Sequence, residues 1–244
     1  LSRTRCAAFL AALAVAMTTA CSGIDPTILN DILNGTATSQ APLDEATVGR
    51  GLKEALVVGT ERAVQRVSQR DGFLADALLR IALPEDYQKI ADKLRQFGFS
   101  RQIDELEVAM NRAAEQASGE AVSVFGNAVR SMSFADAFGI LRGGDRAATN
   151  YFQDRTQGEL RQRFQPVIRE KMQAVGLYRK YDQFAKAYQA LPFEKPPVVD
   201  LDAYLTQRTL DGLFTALADE EAKIRRDPIA RTTELLRKVF GRRR

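Results

Sequence analysis

Histidine and tryptophan are missing from this 244-residue chain, and cysteine occurs only twice, as Cys6 and Cys21. Without histidine there is no Ser-His-Asp or Cys-His catalysis and no imidazole metal site. Both cysteines lie near the N-terminus, so the remainder of the chain has no thiol for a disulfide or a thiolate zinc site. An enzyme on this chain is left with carboxylate, lysine, tyrosine or serine chemistry, and a metal with oxygen ligands. No segment has EF-hand spacing, and neither a cofactor nor a metal is expected. Strand-like alternation is also lacking. These absences exclude most familiar hydrolase chemistry.

Long apolar runs are few, and the clearest is Cys6 to Met17, behind Arg3 and Arg5. It falls well short of the roughly 20 apolar residues that span a membrane, so it reads as a removable export signal over residues 1–20. Thr18-Thr19-Ala20 before Cys21 suits an ordinary signal peptidase, and Ala20-Cys21 suits the lipoprotein route, in which the cysteine sulfur is acylated. Thr18 stands where the lipoprotein pattern normally has leucine. Either cut starts the mature chain at Cys21. A single exposed thiol on an exported protein is an oxidation liability, which favours acylation there. The expected address is the periplasmic face of a Gram-negative envelope, as an outer-membrane lipoprotein that Ser22 resembles, with a soluble periplasmic protein as the alternative. The membrane is then a partner through Cys21.

Charge points away from nucleic acid. The formal net charge is +4, and loss of the signal with Arg3 and Arg5 halves it. Ser22 to Pro42 is small, polar and interrupted by Pro26 and Gly35, and reads as a tether over residues 21–42 with one apolar patch at Ile28, Leu29, Ile32 and Leu33. Residues 43–244 are long enough for one self-sufficient hydrophobic core.

Within that stretch apolar residues recur every three to four positions. One stripe is Val48, Leu52, Ala55, Leu56, Gly59 and Ala63. The next is Tyr87, Ile90, Ala91, Leu94 and Phe97, ending at Gly98. Ser100 is the expected cap of a helix carrying Ile103, Leu106, Met110, Ala113, Ala114 and Ala117. Ser133 with Asp136 and Thr156 with Glu159 have the spacing of capping boxes. Gly143-Gly144-Asp145 predicts a stop and a new cap, and Pro166 a kink or split in the helix of Leu160, Phe164, Ile168 and Met172. After Pro192, Pro196 and Pro197, Asp200 is expected to cap the central helix, bearing Leu201, Leu205, Leu210, Leu213, Phe214, Leu217 and Ile224. Asp227-Pro228 opens a last helix with Ile229, Leu235, Leu236, Val239 and Phe240. The fold class is all-α: a single-domain bundle of about eight helices behind a signal and tether.

Several blocks carry a family resemblance. GLKEAL at Gly51–Leu56, DGFL at Asp71–Leu74, MNRAAEQA at Met110–Ala117, GGDRAATNYF at Gly143–Phe152, TLDGLF at Thr209–Phe214 and the stretch Ile224–Gly241 together resemble the bacterial family called domain of unknown function 4197. The resemblance covers nearly all of Gly51–Gly241. It implies an exported, helical envelope protein, and it supplies neither a reaction nor catalytic residues.

Three constellations are candidates for chemistry. Glu107, Asn111 and Glu115 recur every four residues, with Arg112 and Asp104 nearby, which suits a cation or polar headgroup or else an internal salt-bridge ladder. Glu221 lies on the apolar stripe between Leu217 and Ile224; it is either a carboxylate with raised pKa, fit for general-acid work, or a structural ion pair with Arg225. Arg242-Arg243-Arg244 suits anionic headgroups or a solvated tail. The expected function is a non-enzymatic binding or scaffolding module for an envelope partner or an apolar ligand. The alternative is a carboxylate-dependent enzyme on an envelope polymer or lipid, using Glu107, Glu115 or Glu221.

Overall fold

The computed structural model describes residues 45–174, 176, 178–180, 182, 183, 186 and 200–226. Cys21, the tether, the expected last helix and the terminal arginines lie outside the described residues. Seven helices, and no strand, occur among the described residues: α1 Glu45–Ser68, α2 Glu85–Gln96, α3 Ser100–Ser118, α4 Ala121–Ser131, α5 Phe134–Arg142, α6 Ala147–Ala174 and α7 Leu201–Arg226. None of these helices is long and apolar enough to cross a membrane.

The stripes read from the sequence face inward. Leu52 and Ala63 of α1, Leu94 of α2, Ile103, Leu106, Met110 and Ala113 of α3, and Leu160, Phe164, Ile168 and Met172 of α6 are all buried in one core cluster. Phe97, expected on the α2 stripe, is instead 58% exposed. It is the residue at which α2 ends, where the chain turns away from the helical repeat. Gly98 follows with φ +88°. That left-handed step lets the N–H of Phe99 reach the Leu94 carbonyl at 3.0 Å and the N–H of Gly98 reach the Arg95 carbonyl at 3.1 Å, a Schellman closure.

The central position falls to α7, which packs against α1, α3 and α6. Its buried face includes Leu205, Leu210, Leu213, Phe214 and Leu217. Gly212 is needed there because the Phe73 ring occupies the space that a Cβ would fill. Phe125 of α4 ties these layers together, edge-on to Phe152 at 5.3 Å and to Phe214 at 6.2 Å between ring centres.

The caps divide into those the sequence predicts correctly and those it does not. Ser133 and Asp136 form the expected capping box at α5, and the Asp200 carboxylate accepts the Ala203 N–H at 3.0 Å at the start of α7. Ser100 does not cap α3; Phe99 holds that position, with no side-chain cap. Thr156 starts no helix, because it lies inside α6 and donates its hydroxyl to the Phe152 carbonyl at 2.5 Å. Hydroxyl residues in helix interiors satisfy themselves on the preceding turn, and the capping-box spacing is then fortuitous. Pro166 lies within α6 without splitting it.

Candidate functional site

The α3 stripe is covered by chain. Residues 69–84, between α1 and α2, lie over it as a strap, and α3 supplies the strap's hydrogen-bond partners. Asn111 is completely buried. Its carbonyl oxygen accepts the Ile81 N–H at 2.9 Å, and its amide nitrogen donates to the Ile81 carbonyl at 2.9 Å and to the Glu107 carbonyl at 2.8 Å. One turn on, the buried Glu115 accepts the N–H groups of Phe73 and Leu74, each at 3.2 Å. Its other oxygen accepts from Arg112 at 2.6 Å, and Arg112 also donates to Asp71 at 2.6 Å. Asp71 sits at φ +68°, the left-handed turn that starts the strap. The hydrogen bond to Asp71, and then that to Glu115, hold the Arg112 guanidinium above its usual pKa.

Glu107 closes the row. It accepts from Arg80 of the strap at 2.9 Å, and Arg95 of α2 lies 3.8 Å away. Asp104 pairs with Arg95 at 2.5 Å. A second clasp was not visible in the spacing: Arg66 bridges Asp76 at 2.6 Å and Asp219 at 2.9 Å, joining α1, the strap and α7. The Arg66 hydrogen bond holds the Asp76 carboxyl below its usual pKa. Tyr204 adds a bond from its hydroxyl to the Ala82 carbonyl at 2.8 Å. Glu107, Asn111, Arg112 and Glu115 therefore line one side of α3, and each bonds a residue of the protein's own strap. No group of side chains among the described residues is arranged to hold a metal ion.

Glu221 and Arg225 also come together, at 2.8 Å. Asp145, expected to cap the helix after the glycine pair, pairs instead with Arg226 at 2.9 Å. The start of α6 is capped by Glu221 from α7. One oxygen accepts the Ala148 N–H at 2.9 Å, and the other accepts the Thr149 N–H at 2.9 Å and the Thr149 hydroxyl at 2.8 Å. Arg225 in turn donates to the Ile140 carbonyl at 2.9 Å, in the last turn of α5. The pair thus supplies an acceptor where α6 has orphan N–H groups and a donor where α5 has orphan carbonyls, in agreement with both helix dipoles. Glu221 is 7% exposed.

Beside this pair lies an apolar cleft with room for about 40 Å³. Leu52, Ala55, Leu56 and Gly59 of α1 form one wall, Leu141 of α5 and Ala148 of α6 another, and Leu217 and Ile224 of α7 the third. Gly59 permits the approach of α1 to α7, since a Cβ there would lie 3.2 Å from Ile224 Cδ1. Chemically the arrangement offers apolar contact beside a buried ion pair. The family model described as Protein of unknown function (DUF4197) matches residues 42–241. No curated protein and no solved structure matches the chain.

Proposed function

We propose, for a chain that belongs to the DUF4197 family of proteins of unknown function, a non-enzymatic binding module tethered to the cell envelope through Cys21. The cleft between α1, α5 and α7 receives an apolar side chain of an envelope partner in this reading. The observation that carries it is the cleft's lining: aliphatic side chains converge from four helices, next to a charged pair that is already satisfied. Its size selects the occupant. About 40 Å³ is far below the roughly 300 Å³ at which small-molecule pockets begin, so an inserted side chain fits better than an enclosed acyl ligand.

The carboxylate-enzyme reading has no comparable support. Glu107, Glu115 and Glu221 are each engaged by arginine, and the last two by backbone N–H groups as well. A general acid or base needs an oxygen free to meet substrate.

The address rests on the sequence: the basic start, the short apolar run and the small residues before Cys21. Mass measurement on the protein extracted from its own envelope tests tether and binding together. Acyl mass on Cys21 after denaturation is the expected result, with further mass present only under native conditions. An unmodified Cys21 refutes the tether, and identical native and denatured masses refute the binding reading.

A further inference from the structure

We infer that the outward face of α5, with Lys53 of α1 beside it, is a contact surface for an anionic lipid bilayer. The helix buries Ala137 and Ile140. Phe134, Ala135, Phe138, Gly139 and Arg142 recur at helical spacing on the other side; all are exposed except Phe138, which is half-buried. This outward stripe contains no acid. Phe134 is 47% exposed although its ring is pinned, lying on α1 where Gly49 has no Cβ.

Cations bracket the two rings. The Lys53 ammonium is 5.5 Å from the centre of the Phe134 ring, and the Arg142 guanidinium is 5.8 Å from that of Phe138. The one acid on α5, Asp136, is occupied by the Ser133 N–H and hydroxyl in the capping box. Aromatic rings at headgroup depth with basic side chains beside them are the composition by which amphipathic helices lie on anionic membranes. A rigid ring also loses little freedom on insertion.

The place of this face in the chain adds to the argument. Gly49 is one turn from Glu45, where the segment from Cys21 enters the described fold. If Cys21 is acylated, as proposed above, the face lies beside the entry of the tether; this part alone rests on that reading. An acyl anchor at Cys21 and a second, weak contact at this face would act on the same membrane. Two modest signals together hold a protein on a membrane far better than either does alone.

The test separates the face from the anchor. Protein comprising residues 21–244, produced without acylation and keeping every residue of the described core, is sedimented with vesicles of phosphatidylglycerol and phosphatidylethanolamine or of phosphatidylcholine alone. Binding to the anionic vesicles that disappears on phosphatidylcholine and weakens at high salt is expected. Replacing Lys53→Gln and Arg142→Gln together should weaken it about 25-fold, at about fivefold per cation near the surface. Arg142 is exposed and Lys53 half-buried, and an unchanged melting temperature verifies the fold. Phe134→Leu provides a second variant, which keeps an apolar contact with α1 and removes the ring. Absence of binding to anionic vesicles, equal binding to phosphatidylcholine, or full binding by the double variant overturns the proposal, whatever the state of Cys21. A face that serves a protein partner gives the first of these results.

Discussion

Replacing Glu221 with alanine is expected to cost about 3–5 kcal/mol of folding stability and to lower the melting temperature by on the order of 10 °C. The loss has two sources. Arg225, with its side chain only 11% exposed, keeps its charge and loses the carboxylate 2.8 Å away. The N–H groups of Ala148 and Thr149 lose their acceptors at the start of α6. Both penalties fall on groups that remain buried, and an unpaired buried group costs far more than the intact bond contributes. Glu221→Gln should lie between, because its amide oxygen can still accept one N–H but cannot neutralise Arg225. Urea unfolding of the three proteins checks this order. A loss below about 1 kcal/mol for the alanine variant contradicts the capping role. A folded, stable Glu221→Gln protein that had lost a measurable reaction would revive the catalytic one.

The second large effect is expected at Asn111. Alanine there leaves the Ile81 N–H and carbonyl without partners inside the core. At about 1–3 kcal/mol for each unsatisfied group, the loss is about 2–4 kcal/mol once some relaxation is allowed. It should be local before it is global. Hydrogen exchange at the Ile81 amide and proteolytic cleavage within residues 69–84 should accelerate more than exchange in the middle of α7. Glu107→Gln is the contrasting case on the same stripe. Its partner Arg80 is half exposed while Glu107 is 14% exposed, the glutamine keeps an acceptor for Arg80, and the loss should be about 1 kcal/mol or less. Equal effects at Asn111 and Glu107 would contradict the assignment of Asn111 as the pin of the strap.

These two sites mark where the sequence is legible. Period alone identified Glu221 as an acid on an apolar stripe and Arg225 as its neighbour one turn on. It could not identify the helix ends they serve, since Glu221 and Ala148 are 73 residues apart and capping across the fold leaves no local spacing. Likewise, recurrence every four residues placed Glu107, Asn111 and Glu115 on one face of α3. It could not show that a loop lies over that face, so the spacing pointed only to a ligand or an internal salt-bridge ladder. The Asp71–Leu74 block was visible as a family resemblance, and its hydrogen-bond partners on α3 were not. The Arg66 clasp left only a weak trace, a basic residue in the last turn of α1, which suits the helix dipole without any partner.

Core stripes are read more easily because each helix must bury its own apolar side whatever it packs against. Helices α1, α2, α3, α6 and α7 follow those stripes, and Phe97 departs where α2 ends. Ser100 and Thr156 misled for different reasons: the Ser100 hydroxyl, at the first residue of α3, reaches the Arg95 carbonyl of α2 at 3.5 Å, whereas Thr156 lies in a helix interior. A hydroxyl at a capping spacing can also bond back along its own helix, as Ser118 and Thr209 do to the Ala114 and Leu205 carbonyls.

The native mass of the protein extracted from its own cells, for the unaltered chain and for Leu56→Gln, tests the proposed binding role of the cleft most directly. Leu56 is a half-buried wall residue of the cleft on α1, so a polar end there should disfavour an inserted apolar side chain while the fold is kept. The expected result is additional native mass on the unaltered protein and its loss from the variant, with equal melting temperatures. Additional mass retained in full by Leu56→Gln, or absent from both proteins, would contradict a binding module that works through this cleft.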